Sequence, residues 1–191
     1  YYTLQIIKIK SNTIHAAVGE ILGILEGMRK NERNIHFNGW NALGASAALR
    51  ELARCMKSPA AQEMKFDKVV HVDCSLWQGM RALQKAIVEE LELPQSVMAI
   101  FDQHDEEDDF NGIDQGSRGV ILEVTEEIFR KLVNSTFVVI FHNGSGHYID
   151  LYQCGVPVTI FLSSKVLWTW GRRLRLIDRS DVDEVHKTPT E

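Results

Sequence analysis

The segment Phe137 to Phe141 is the feature that most constrains the fold, because it is an unbroken run of five apolar residues, FVVIF. A run of this kind is typical of a strand that is buried on both faces of a parallel sheet. Such a strand needs helices on each side of the sheet to cover it. The segment therefore predicts a three-layer α/β fold in which Phe137–Phe141 is a central parallel strand.

Shorter apolar runs alternate with helical patterns along most of the chain. Alternation of this kind indicates a mainly parallel sheet with right-handed crossovers. Pro94 ends one of the helices. The expected strands are 34–38, 69–72, 158–162 and 166–170, and the expected helices are 46–56, 78–93 and 117–133.

An amphipathic helix is expected before this series. Its apolar residues recur at alternating steps of four and three, which is a heptad spacing: Ile14, Val18, Ile21, Leu25 and Met28. Because the pattern covers only about two heptads, we interpret it as a helix that packs on its own domain or a neighbouring one, with a coiled coil as the alternative.

The expected organisation has three parts. Residues 1–33 form an N-terminal linker and the amphipathic helix, residues 34–178 form the α/β domain, and residues 179–191 form a tail or the start of the next segment. The first ten residues could be a strand or part of the linker. The chain begins at Tyr1 rather than Met, so we expect it to be a segment of a longer protein.

The segment Asp102 to Asp109, DQHDEEDD, predicts a solvated acidic loop. A calcium loop is the alternative, with Glu107 as its first ligand. That register needs a glutamate at its twelfth position, where the chain has Arg118, so we reject it and expect no metal site.

Charge and composition exclude several classes of protein. The formal net charge is -5 and the only basic cluster is small, which argues against a nucleic-acid partner. The three cysteines form no closely spaced pair, so neither a disulfide framework nor a zinc ribbon is indicated. No apolar run approaches the length of a membrane span.

The segment Gly39 to Ser46, GWNALGAS, has the glycine spacing of a phosphate-binding P-loop. It follows an expected strand and precedes an expected helix, as a P-loop does, and Ser46 could hold a magnesium ion. The lysine of a P-loop is absent, because Ala45 stands in its place. The alternative is a plain glycine turn in which Ser46 caps the helix.

A second part of such a site is also missing. P-loop proteins place a carboxylate at the end of a buried strand to hold magnesium. The strand Phe137–Phe141 is followed by His142 and Asn143, and the nearest carboxylate is Asp150. An efficient NTPase is therefore not expected.

The order of these landmarks resembles the NB-ARC nucleotide-binding domain of plant NLR disease-resistance receptors, and most of all a degenerate branch seen in grasses. The resemblance runs from about Gly39 to Arg173. His142 and Asn143 stand where the family has two aspartates, and Gly171, with Arg172 one place on, stands where it has a nucleotide-sensing arginine. The matching segments are GWNALGASA at 39–47, FDKVVHVDCS at 66–75, TFVVIFHNGS at 136–145 and KVLWTWGR at 165–172.

The resemblance implies a cytoplasmic or nucleocytoplasmic module of an immune receptor that is controlled by ADP or ATP. Its partners would be the receptor's N-terminal helical domain and leucine-rich repeats, or further copies in an oligomer. Because its motifs are degenerate, we expect weak or absent ADP or ATP binding, with magnesium only if a nucleotide binds. The nucleotide-contacting positions would be Gly39, Gly44, Ala45, Ser46, Ala47, His142, Asn143 and Arg172.

The sequence leaves two other functions open. One is an active P-loop ATPase or ADP-binding switch. The other is an unrelated hydrolase that uses Cys154 as its nucleophile with His142 or His147 as the base, although no third orienting group is evident.

Overall fold

The computed structural model describes residues 11–27, 34–37, 43–58, 66–73, 79–142, 149–157, 164–169 and 174–175. Helices and strands alternate among the described residues as far as Asp73, after which three α-helices precede four strands, with a short 3-10 helix at Gln115–Ser117 between the second and third of these helices. The helices are α1 (Ile14–Gly27), α2 (Leu43–Met56), α3 (Met80–Glu90), α4 (Gln95–Phe110) and α5 (Leu122–Leu132). The strands are β1 (Asn34–Phe37), β2 (Lys68–Asp73), β3 (Phe137–His142), β4 (Ile149–Asp150), β5 (Lys165–Thr169) and β6 (Leu174–Arg175).

Four strands form a parallel sheet in the order β1-β5-β3-β2. The strand β3 lies between β5 and β2, and its residues from Phe137 to Ile140 have no exposed surface. The predicted central parallel strand is therefore confirmed. β4 and β6 form a separate parallel pair.

Helices cover both faces of the sheet, so the fold has three layers. On one face, Val70, Val139 and Phe141 pack in one core with residues of α3, α4 and α5. On the other face, Val138 and Ile140 pack with α2, and α1 packs in turn on α2. The alternating contacts of β3 explain why its sequence is apolar at every position.

The amphipathic helix is confirmed as α1, although its apolar face is shorter than expected. Val18, Ile21 and Leu25 are buried. Ile14 was expected on the same buried face but is 47% exposed, because it lies at the rim of an open groove between α1 and α2. Met28 lies outside the described residues.

The prediction of an acidic loop at 102–109 was wrong, because these residues belong to α4. Two arginines from elsewhere in the chain bind the acidic side chains. Arg81 and Arg118 each place an Nη1 atom 3.1 Å from Oδ1 of Asp105. Arg81 also binds Asp108, and Arg118 also binds Asp109. These ion pairs relieve the repulsion between carboxylates that would otherwise oppose a helix.

Other helix boundaries differ from expectation for local reasons. α5 begins at Leu122 rather than near 117, because the buried amide of Gln84 holds the preceding segment: it accepts from the N–H of Ile121 at 2.8 Å and donates to the carbonyl of Ile121 at 3.0 Å. α3 ends at Glu90 rather than 93, and Pro94 precedes α4 instead of only ending α3. The expected strand 158–162 and residues 1–10 lie outside the described residues.

Candidate functional site

The carboxyl ends of the four parallel strands lie at one edge of the sheet. β1 ends at Phe37, which is in register with Thr169 at the end of β5. β2 ends at Asp73, which is in register with His142 at the end of β3. Open parallel sheets bind ligands in the crevice outside this edge. This carboxyl edge is therefore the first candidate for a ligand site.

The helix α2 begins at this edge, because it follows β1 along the chain and returns across the sheet. It starts at Leu43, so Gly44 and Ala45 belong to its first turn. Backbone N–H groups of a first turn have no partners within the helix and favour anions. Ala45 thus lies in the first turn of α2, and alanine supplies no charge there.

Ser46 lies within α2 and is 9% exposed. The alternative in which Ser46 caps the helix is wrong, because the helix begins three residues earlier than expected. Ala47 follows it and lines the rim of the groove between α1 and α2. Gly44, Ala45, Ser46 and Ala47 all belong to the first turns of α2.

The second group of expected site residues is only partly described. His142 is the last residue of β3, so its backbone places it at the carboxyl edge. Gly39, Asn143 and Arg172 lie outside the described residues. The structure therefore brings position 142 and the start of α2 to the same edge of the sheet.

An ion pair at this edge was missed by the sequence reasoning. Nη2 of Arg50 on α2 lies 2.9 Å from Oδ2 of Asp73 at the end of β2. Arg50 follows Ser46 by four residues, so the two share a face of the helix. That spacing, together with an aspartate at the end of an expected strand, was a usable signal. The expected position of the magnesium-binding carboxylate was after the strand 137–141 and not after the strand 69–72.

Asp150, the carboxylate nearest to the strand 137–141 in the sequence, stabilises a local turn. Its Oδ1 accepts hydrogen bonds from the backbone N–H groups of Tyr152 at 3.0 Å and Gln153 at 3.2 Å. This is a turn stabilised by an aspartate side chain. Asp73 is therefore the carboxylate that the structure places beside position 142.

The groove between α1 and α2 is the second candidate. It is open, has a volume of about 570 Å³, and is lined by Ile14, His15, Ala47, Arg50, Glu51 and Arg54. Arg54 donates hydrogen bonds of 2.8 and 2.6 Å to the carboxylate of Glu51 and thereby lowers the pKa of Glu51 to about 2. His15 lies 3.5 Å from the same carboxylate. Glu51 and Arg54 neutralise each other, and Arg50, the other arginine of the lining, is paired with Asp73.

The expected cysteine nucleophile is poorly placed for catalysis. Cys154 has no exposed surface and lies in the core on the α3–α5 face. Burial raises the pKa of its thiol to about 12. A cysteine nucleophile must be accessible and at least partly ionised at neutral pH. His147, one of its two proposed bases, lies outside the described residues.

The described part of the chain offers neither of two further features. It contains no group of three or more His, Cys, Asp or Glu residues arranged to hold a metal ion. It also contains no helix that is both long and apolar enough to cross a membrane.

Comparison with other proteins does not assign the chain to a family. A scan against models of protein families finds no match, and a search among curated proteins finds none either. The resemblance to NB-ARC domains therefore stays a prediction.

Proposed function

We propose that the chain is a switch or scaffold module of a plant immune receptor, similar to an NB-ARC domain, that binds ADP or ATP weakly or not at all and does not hydrolyse ATP efficiently. The observation that carries the proposal is the position of Ala45. It lies in the first turn of a helix that begins at the carboxyl edge of a parallel sheet, where a P-loop has lysine.

The missing lysine accounts for weak binding. A charge-assisted hydrogen bond contributes about 1.5–3 kcal/mol, and its loss lowers affinity by about one to two orders of magnitude. The backbone N–H groups at the start of α2 would still favour a phosphate. Binding would thus be weakened rather than abolished by this residue alone.

The residues at the end of β3 account for the expected lack of turnover. Phosphoryl transfer needs a magnesium ion held in place and an oriented water. The side chains of His142 and Asn143 offer no carboxylate for either purpose. Ser46 would contact magnesium only if a nucleotide were bound.

The proposed partners are other domains of the same receptor in the cytoplasm or nucleus, including its helical domain and leucine-rich repeats, or further copies of the chain. The apolar seam of α1 is already used, because Val18, Ile21 and Leu25 pack in one core with α2. A coiled coil through these three residues would require α1 to leave α2. Contacts with a partner would therefore use other surfaces.

Two assays test the proposal. Purified protein is denatured and the released nucleotides are separated by chromatography, and phosphate release from ATP is followed for wild type, Ala45→Lys and the double variant Ala45→Lys/His142→Asp. We expect substoichiometric nucleotide and no turnover in wild type and in Ala45→Lys. The double variant is the smallest change that could restore turnover.

The main competing function is an active ATPase. Steady phosphate release by the wild-type protein above a heat-denatured control would overturn the proposal in its favour. Stoichiometric ADP in the purified wild-type protein would instead indicate an intact ADP-binding switch.

A further inference from the structure

The pair formed by Arg50 and Asp73 has features that distinguish it from other ion pairs on α2. Arg54, one turn further along the same helix, binds Glu51 within that helix. Arg50 instead binds across to the last residue of β2, at the carboxyl edge of the sheet. Its charged group therefore lies at the carboxyl end of β2, which β3 and β5 separate from β1 in the described sheet.

The direction of the side chain supports this placement. Side chains on a helix lean towards its N-terminus, so Arg50 extends from the second turn of α2 towards the turn that contains Ser46. α2 begins at the same edge at which β2 ends. The arginine thus supplies a cation on the helix that lacks a lysine at position 45.

Solvent can reach both partners of this pair. The side chain of Arg50 is 54% exposed and that of Asp73 is 31% exposed. Ion pairs with this degree of exposure contribute little to stability. A phosphate can offer arginine two parallel hydrogen bonds, as a carboxylate does, but with more negative charge. A phosphate in solution can therefore approach both partners of the pair.

We propose that Arg50 is the phosphate-binding cation of the carboxyl edge, and that the Asp73 carboxylate occupies it in competition with the ligand. The inference rests on the proposed function in that it assigns a phosphate-binding residue to the same edge. It adds a second cause of weak phosphate binding besides the absence of a lysine at position 45, namely competition from the carboxylate of Asp73. The ligand chemistry is a phosphate group, carried by a nucleotide or free in solution.

The experiment measures affinity for inorganic phosphate and for ADP by titration calorimetry at low salt. The variants are Asp73→Asn, Arg50→Gln and the double variant, each compared with wild type after its melting temperature has been checked. Removal of the competing charge in Asp73→Asn should raise affinity by up to about fivefold, which corresponds to the upper end of the energy of an exposed ion pair. Arg50→Gln should remove that gain.

The matched control is Arg54→Gln, which removes a guanidinium from the same helix but not from the carboxyl edge. It should leave affinity unchanged. If Asp73→Asn does not fold, Asp73→Ser takes its place. A gain seen with ADP and with inorganic phosphate assigns the site to any phosphate, and a gain seen with ADP alone assigns it to a nucleotide phosphate.

Three results would overturn the inference: an affinity unchanged by Asp73→Asn, a gain that persists in the double variant, or no detectable binding in any of these proteins. Ala45→Lys separates this failure from failure of the proposed function. A gain in Ala45→Lys without one in Asp73→Asn leaves the P-loop interpretation intact and removes only the role of Arg50. A gain in Asp73→Asn without one in Ala45→Lys supports Arg50 and removes the P-loop interpretation.

Discussion

The two faces of the sheet use their polar side chains differently. On the face covered by α3, α4 and α5, the buried side chains of Gln84 and Arg118 and the partly buried side chain of Arg81 join one helix to another or to the segment before α5. On the face covered by α2 and α1, Arg50 and Glu51 stay partly exposed, at the carboxyl edge or in an open groove. The polar side chains on the α3–α5 face therefore stabilise the packing of helices. Those on the α1–α2 face remain accessible to a ligand.

The largest expected effect belongs to the α3–α5 face. Phe101 on α4 has no exposed surface, so Phe101→Ala should lower the free energy of unfolding by about 3–5 kcal/mol through lost burial and a cavity. Urea denaturation measures the loss. Phe110→Ala is the control on the same helix, since Phe110 is 91% exposed, and it should change stability by no more than about 0.5 kcal/mol. Equal losses in the two variants would contradict the burial of this helix face.

A smaller effect is expected on the α1–α2 face. Leu25 of α1 is 6% exposed and packs in the smaller core with α2, so Leu25→Ala should cost about 2–3 kcal/mol. Ile14→Ala on the same helix removes a half-exposed side chain and should cost less than about 1 kcal/mol. A melting temperature that is unchanged by Leu25→Ala would show that α1 does not pack on α2 in solution.

The next effect concerns β2, which is an outer strand of the described four-stranded sheet. Its backbone N–H at His71 donates a 2.7 Å hydrogen bond to Glu90, which also binds Lys57. Glu90→Ala should cost about 1–2 kcal/mol, because a strand N–H loses a charged acceptor. It should also promote aggregation, because it uncovers the edge of a strand. The exposed neighbour Glu89 provides the control, and a Glu89→Ala variant that loses as much stability would contradict this role.

The smallest expected effect is a pH dependence of stability that arises from the ion pair between Glu51 and Arg54 in the groove between α1 and α2. Because Arg54 lowers the pKa of Glu51 to about 2, the stabilisation is present above the unfolded-state pKa of about 4.3 and is lost as pH falls towards 2. Wild type should therefore lose more of its melting temperature over this range than Glu51→Gln does. Parallel pH profiles for the two proteins would show that the ion pair contributes nothing to stability.

The sequence predicted the elements whose patterns are local. The apolar run of β3 and the heptad spacing of α1 each specify an element without reference to the rest of the chain. The helix α4 was missed because its acidic residues depend on Arg81 and Arg118, which are distant in sequence and brought near by folding. The late start of α5 depends in the same way on Gln84.

The candidate site was predicted in part for similar reasons. The position of Ala45 near the start of a helix followed from glycine spacing and the strand–helix order. Glycine spacing and strand–helix order do not predict that Asp73 lies beside His142. That proximity depends on β2 being the neighbour of β3 in the sheet. Strand order is a property of the whole sheet, so a carboxylate on a different strand was not considered.

Titration calorimetry of ADP into wild type and Ala45→Lys, with magnesium present, tests the central claim most directly. A lysine in the first turn of α2 would supply the missing cation to an anion-binding helix terminus, so affinity should rise by about one to two orders of magnitude. Ser46 and the backbone of α2 are unchanged by the substitution, so a gain would come from the added charge. No gain in ADP affinity would show that the segment from Gly39 to Ser46 is not a degenerate P-loop, and would contradict the account.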